Sequence, residues 1–205
     1  MIVVIDYKVG NVRSVCNAFR HMGCEVKLSR KSEDIKTASG LVLPGVAAFG
    51  YAVNALGTLA DQVKETALSG KLLLGICVGY QMLFETSIEC GEHRGLGLIH
   101  GNVVRIPDGR VIPHMGWNSV KIPEDMDLLV GLGTEKNFYF AHSYYADITD
   151  SDVRIAYTDY GFRMPASVQK ANIYGTQFHP EKSGWAGLKI LKNFAQICER
   201  STGKC

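Results

Sequence analysis

The sequence has little of what would mark a nucleic-acid-binding, membrane-spanning or disulfide-stapled protein. Lysine and arginine number 22 against 20 aspartate and glutamate, an imbalance too small to imply a polyanionic partner. The one local group of bases, Lys27, Arg30 and Lys31, is bracketed by Glu25, Glu33 and Asp34 and reads as a solvated face. No apolar run approaches the roughly 18 residues that a bilayer span needs. Ahead of the strand-like Ile2-Val3-Val4-Ile5 there is no basic leader and no small-residue cleavage site, so a cytoplasmic protein is expected. The six cysteines, at 16, 24, 77, 90, 198 and 205, include no Cys-x-x-Cys pair and have no histidine at zinc-knuckle spacing. Reduced thiols, no metal and no bound coenzyme are the expectation. Linkers, low-complexity tracts and internal repeats are missing too. A length of 205 residues suits one buried core better than two, which predicts a single domain over 1–205.

What the chain does contain is an alternation of apolar β-branched runs with amphipathic stretches. Residues 2–6 read as a buried strand. A helix is predicted over about 12–22, with Val12, Val15, Cys16, Phe19 and Met22 on one stripe. Short strands follow at Val26-Leu28 and at Leu41-Leu43, the latter ending in Pro44-Gly45. A further helix is expected over 58–69, then an all-apolar run, Leu72 to Ile76, suited to the centre of a parallel sheet. This is the pattern of an α/β layer architecture. Residues 97–177 differ. Their short strand candidates, Val103-Ile106, Ser119-Ile122, Phe138-Ser143, Val153-Tyr157, Ala166-Gln169 and Ile173-Gln177, read as an antiparallel extension of the same sheet. A last helix is predicted over 186–199.

Two segments carry chemistry. In Gly75-Ile76-Cys77-Val78-Gly79, a strand meets a helix start and two glycines flank the cysteine, the spacing of a nucleophile elbow. The glycines are required because strand and helix must approach closely around a strained turn. A helix N-terminus at the sulfur favours the thiolate, and the backbone N–H of Val78 can face an oxyanion. The second segment is Gln177-Phe178-His179-Pro180-Glu181. His179 and Glu181 are two apart, so in extended chain their side chains leave on one face, and Pro180 restricts His179 to extended backbone. Glu181 then orients the imidazole, His179 takes the thiol proton, and Cys77 attacks an acyl carbon. Alone, the elbow spacing is as often structural as not, and His-Pro-Glu is more often a surface turn. Together they predict a Cys77-His179-Glu181 triad.

These two segments resemble the signatures of class I (triad-type) glutamine amidotransferases. Further stretches narrow the resemblance to the glutaminase subunit of imidazole glycerol phosphate synthase: Asp6-Tyr7 with Gly10-Asn11, Leu43-Pro44-Gly45-Val46, Gly95-Leu96-Gly97-Leu98-Ile99, Pro113-His114-Met115-Gly116-Trp117-Asn118 and Phe140-Ala141-His142-Ser143-Tyr144. They run in that family's order from Ile2 to about Phe194. The resemblance implies a flavodoxin-like three-layer sandwich with a mostly parallel central sheet and an antiparallel extension. It also implies hydrolysis of L-glutamine to glutamate and ammonia, and delivery of the ammonia to a (β/α)8-barrel cyclase subunit for histidine biosynthesis. By the same resemblance Gln81 and Glu89 hold the α-amino and α-carboxylate end of glutamine, with Ser143 and Tyr144 nearby. The Gly45-Val46 peptide is implied as a second oxyanion donor that turns into place in the activated complex. Asn11, Trp117, Tyr139 and Lys182 match positions facing the partner.

The chain departs from the family pattern at four places. Ala47 replaces a glycine in the Pro-Gly-Val-Gly loop, at a position expected to lie against bound glutamine, where an added methyl restricts the loop. Lys8 stands where glycine is common, Tyr80 where methionine is, and His100 where proline is. These departures leave room for a paralogue feeding a different synthase, such as a surface-sugar amidotransferase. Segments 113–118 and 140–144 speak against guanylate, anthranilate or pyridoxal-phosphate synthesis, and the intact triad residues speak against a degenerate binding module.

Overall fold

The structure, a computed structural model, describes residues 1–201 and 203. Its spine is a nine-stranded sheet. The strands in chain order are β1 (Ile2–Ile5), β2 (Val26–Ser29), β3 (Gly40–Gly45), β4 (Leu72–Cys77), β5 (Thr86–Ser87), β6 (His93–Arg94), β7 (Gly101–Arg105), β8 (His114–Lys121), β9 (Glu135–His142), β10 (Tyr144–Ile148), β11 (Arg154–Asp159), β12 (Arg163–Lys170) and β13 (Ile173–Thr176). The large sheet runs β2-β1-β3-β4-β13-β12-β11-β8-β9. Its first five members are parallel, and their order is that of the flavodoxin-like doubly wound fold. From β12 outward every pairing is antiparallel.

Why the parallel half forms follows from its composition. Every residue of β1, β3, β4 and β13 is buried, as strands covered on both faces must be. Alternate residues feed two cores. Ile2, Val4, Leu72 and Leu74 face a cluster completed by helices α1 (Val12–His21) and α6 (Gly184–Ser201), through Val15, Phe19, Ile190, Leu191 and Phe194. Val3, Ile5, Leu41 and Leu73 face a second cluster. It is completed by α2 (Ser32–Thr37), α3 (Phe49–Leu56), α4 (Leu59–Leu68) and the one-turn α5 (Val78–Gln81). Two helical layers around a sheet make the predicted three-layer sandwich.

Three expectations need correction. The strand expected over Val103-Ile106 does not extend the main sheet. It is β7 of a separate four-stranded sheet, β10-β7-β5-β6, and its Val103 packs into the second core with Ala146 of β10. Alternating burial looks the same in sequence whether a strand joins a sheet edge or lies over a sheet face. Ile173-Gln177, expected in the antiparallel extension, contributes β13, which pairs parallel with β4 and antiparallel with β12 and is thus the strand at which direction switches. Finally, His179 keeps the expected extended backbone, with φ −97° and ψ 98°, but the extended chain does not continue to Glu181. Strand β13 ends at Thr176, and Pro180–Lys182 form a 3-10 turn, which proline at its first position starts without losing a needed N–H.

Of the predicted thiols, Cys16, Cys24, Cys77 and Cys90 form no disulfide, and Cys205 lies outside the described residues. No described helix is long and apolar enough to cross a membrane, and no cluster of potential metal ligands occurs among the described residues.

Candidate active site

Cys77 is the last residue of β4 and caps α5, with φ 55° and ψ −111°. A non-glycine residue rarely adopts a positive φ, and such strain collects at functional sites. What holds Cys77 there is the packing of its neighbours. A Cβ on Gly79 would lie 1.7 Å from the Leu43 carbonyl oxygen, and one on Gly75 would lie 2.6 Å from that of Gly79. Both elbow glycines are therefore demanded by close approach of backbones. The helix behind the sulfur is four residues long, so the favourable field there is that of a few local N–H groups rather than a long helix dipole.

The candidate base, His179, arrives from the adjacent strand. Register pairs Ile76 with Thr176, so the chain just beyond β13 runs alongside the elbow. His179 Nδ1 lies 3.0 Å from Glu181 Oε1, with the two side chains 1% and 2% exposed. The turn is pinned from both sides. His179 N–H donates to the Tyr139 carbonyl, and the Ser183 hydroxyl donates to the His179 carbonyl while accepting from Tyr139 N–H. Phe178 stacks on Phe138 with centroids 4.1 Å apart, anchoring the residue before the imidazole in the core. His179 Nε2 is buried and has no hydrogen-bond partner. Burial disfavours the charged ring, but the nearby Cys77 and then Glu181 outweigh it and raise the ring's pKa well above its ordinary value. Such a ring is ready to take a proton from Cys77. The sulfur's other polar neighbours are the Gln177 amide Nε2 and the Ala141 carbonyl, each at 4.0 Å.

In front of Cys77 is a cavity of about 250 Å³ lined by Val46, Ala47, Val78, Gln81, Glu89, Ser143 and Tyr144. Seven predicted residues thus meet around the nucleophile. Gly45 lies just behind, register-paired with Cys77, and its Cα is where a Cβ on Gly10 would come within 2.9 Å. Gln81 is buried; its amide nitrogen donates to the Tyr144 carbonyl at 2.9 Å and to Gln177 Oε1 at 3.0 Å, which leaves its carbonyl oxygen to accept from a ligand. Glu89 gives one carboxylate oxygen to the Phe49 N–H at the start of α3, 2.7 Å away.

Of the residues matched to a partner face, Trp117 and Tyr139 are cross-strand neighbours on β8 and β9 with rings 6.2 Å apart. The Lys182 ammonium sits 5.8 Å over the Tyr139 ring. Asn11 is the residue preceding α1. Sequence reasoning gave no role to Tyr7, whose buried hydroxyl donates to the Pro44 carbonyl, nor to His114, His142 and Gln177. All four lie in segments the resemblance already spans, but polar residues that will be buried look in sequence like ordinary surface ones. Ala48, Pro113, Met115 and Ala141 also line the cavity unannounced.

Residues 3–198 match the family described as Glutamine amidotransferase class-I. The chain belongs to this class I glutamine amidotransferase family. Among its relatives, "Imidazole glycerol phosphate synthase subunit HisH" of Methanothermobacter thermautotrophicus is 48% identical, covering 96% of this chain and 98% of that one. The protein of the same name from Listeria innocua is 45% identical, covering 97% of each. A solved structure, PurLQS from Thermotoga maritima, superposes with a TM-score of 0.76 at 21% identity, over 96% of this chain and 97% of that one, and so shares the amidotransferase fold.

Proposed function

We propose that this class I amidotransferase is one glutaminase domain, residues 1–205, whose Cys77, His179 and Glu181 hydrolyse L-glutamine to glutamate and ammonia. The ammonia passes to a (β/α)8-barrel cyclase subunit that forms imidazole glycerol phosphate in histidine biosynthesis. The observation that carries this reading is the buried His179-Glu181 pair, which leaves Nε2 unpartnered beside a thiol on a strained elbow. The relatives named imidazole glycerol phosphate synthase subunit, matched over nearly their whole length, support the pathway and the need for a partner.

The chemistry follows from the arrangement. Cys77 Sγ attacks the side-chain amide carbon as His179 takes the thiol proton. The oxyanion is met by the N–H of Val78 and by that of Val46 once the Gly45-Val46 peptide faces it. His179 then gives its proton to the departing ammonia, leaving a thioester that a water molecule, deprotonated by His179, hydrolyses to glutamate. Glu181 holds the Nδ1 proton throughout. Gln81 accepts from the substrate ammonium and Glu89 pairs with it, while Ala47, Ser143 and Tyr144 shape the pocket around the α-carbon. Trp117, Tyr139 and Lys182 offer an aromatic, cationic face to the cyclase, with Asn11 at its margin.

Cys77→Ala tests the reading. Glutamine-dependent imidazole glycerol phosphate formation by the reconstituted pair should be abolished, while synthesis from added ammonia stays within about twofold of the parent. Loss of both activities together would make Cys77 structural and overturn the mechanism.

A further inference from the structure

Two buried histidines that take no part in the triad are joined in a chain of hydrogen bonds ending at the glutamine pocket. His142 Nδ1 lies 2.8 Å from the Tyr144 carbonyl oxygen, His142 Nε2 lies 3.0 Å from His114 Nδ1, and His114 Nε2 lies 3.3 Å from the Asn118 amide nitrogen. The tautomers can be assigned from either end. A carbonyl only accepts, so His142 carries its proton on Nδ1 and accepts at Nε2; His114 must then donate from Nδ1 and accept at Nε2. At the other end Asn118 Oδ1 accepts from the Ser119 N–H at 2.8 Å, and its amide nitrogen donates to the Asp159 carbonyl at 2.9 Å. That nitrogen therefore also donates to His114. Both ends require the same neutral tautomers, and every bond points one way, from Asn118 to Tyr144.

The rings are held as firmly as their protons. His114 lies between Phe140 and Tyr160, stacked on the first at 4.5 Å and tilted on the second at 4.0 Å. Both histidines are buried, and burial lowers their pKa values, to about 4 for His114 and about 3 for His142. The acceptor at the end of the chain is the carbonyl that also receives Gln81 Nε2. Its two lone pairs are thus filled by His142 and Gln81. Gln81's other amide proton goes to Gln177, so the direction in which the Gln81 amide faces is set by a carbonyl that His142 fixes in place.

We propose that His114 and His142 are positioning residues for glutamine binding: a one-way imidazole relay, anchored at Asn118, that fixes the Tyr144 carbonyl and through it turns the Gln81 amide oxygen toward the substrate ammonium. This rests on the glutaminase reading above. The relay acts on recognition of the α-amino end and not on the sulfur, so it predicts a split between binding and chemistry.

The experiment measures inactivation of the chain by an electrophilic glutamine analogue, diazo-oxo-norleucine, over a range of concentrations, beside alkylation of Cys77 by iodoacetamide, read at that residue by peptide mass because exposed Cys90 also reacts. His142→Leu, and separately His114→Leu, should raise the concentration for half-maximal inactivation by the analogue on the order of tenfold. The limiting inactivation rate and the iodoacetamide rate should stay within about twofold of the parent. His114→Gln, whose amide can donate and accept in the same place, should recover most of the affinity. Because Asn118 lies at the far end of the chain and is less buried, Asn118→Ala serves if a histidine variant does not fold, with a smaller loss in the same sense. An unchanged half-maximal concentration in the folded variants, or a fall in both rates with no change in it, would overturn the relay while leaving the glutaminase reading intact. A parent chain that the analogue does not label at Cys77 would overturn both.

Discussion

At the scale of single residues, the triad is a problem in burying charge. His179 and Glu181 are almost fully enclosed, and a buried ion pair stands only while both partners and their hydrogen bonds stay in place. The raised pKa of His179 makes this measurable. Its folded pKa lies above the unfolded value, so the folded state binds more protons and stability falls as pH rises. The contribution is whole below about 6.5, the ordinary histidine value, and is lost as pH climbs toward the folded pKa. Thermal unfolding of the parent should therefore show a falling midpoint from about pH 7 upward. Cys77→Ala, which removes the strongest influence holding the proton on the ring, should flatten that slope between pH 7 and 8.5. Equal slopes would mean that Cys77 does not hold the imidazole proton. Burial lowers the pKa values of His114 and His142 and raises those of Cys16 and Cys198, adding a rise that fades above about pH 7 and a fall near and above the unfolded thiol value; parent and variant share both, so the difference between their slopes isolates His179.

Among the elements, the elbow is the tightest joint. Gly79 allows α5 to rest on β3 with no room for a methyl group, whereas Gly23, at φ +76°, has nothing within 4 Å of its missing Cβ. Alanine at Gly79 should cost about 3 kcal/mol or more, or prevent folding. Gly23→Ala should cost about 1 kcal/mol, through backbone strain alone. Chemical denaturation of the two variants side by side separates packing from conformational freedom, and similar losses would show the elbow glycine to be replaceable. These elements also show what could be read in the chain. Long periodic segments were legible: α1, α4 and α6 lie within a few residues of their predicted spans, and β4 was evident from five consecutive apolar residues. Short pieces were not. Helices α2 and α3 hold only one and four buried residues, too few for a period to emerge. Strand β10 directly follows β9, separated by Ser143 alone, so no turn signal divides them. The elbow at Cys77 and the pairing of His179 with Glu181 were legible because their spacing is unusual, but the geometry joining His179 to Glu181 was not, since Pro180 starts a 3-10 turn as readily as it extends a strand.

For the whole molecule, one end of the antiparallel half is the exposed face where partner binding is expected. Trp117 is 60% exposed and Met115 64%, both on β8, and Trp117 meets Tyr139, over which Lys182 lies. Lys182 follows Glu181 directly, so the same turn that holds the His179 imidazole reaches this face. Large aromatics dominate binding energy at protein interfaces. Trp117→Ala should weaken association with the cyclase by about 2 kcal/mol or more, measured by titration calorimetry, while leaving the fold and iodoacetamide labelling of Cys77 unchanged. Undiminished affinity would place the interface elsewhere. The two histidines of the relay lie in the same strand pair, at the first residue of β8 and the last of β9.

The position of β13 in the sheet has a consequence for how the protein is made. This strand enters between β4 and β12, so the middle of the sheet is filled by the last of the described strands to leave the ribosome, and His179, which follows it, is later still. A growing chain therefore carries Cys77 for about a hundred residues before His179 is made. With Cys77 and His179 in the roles proposed, synthesis itself keeps the thiol idle until the sheet is closed, and a chain cut short anywhere before that closure is released with no means of generating ammonia.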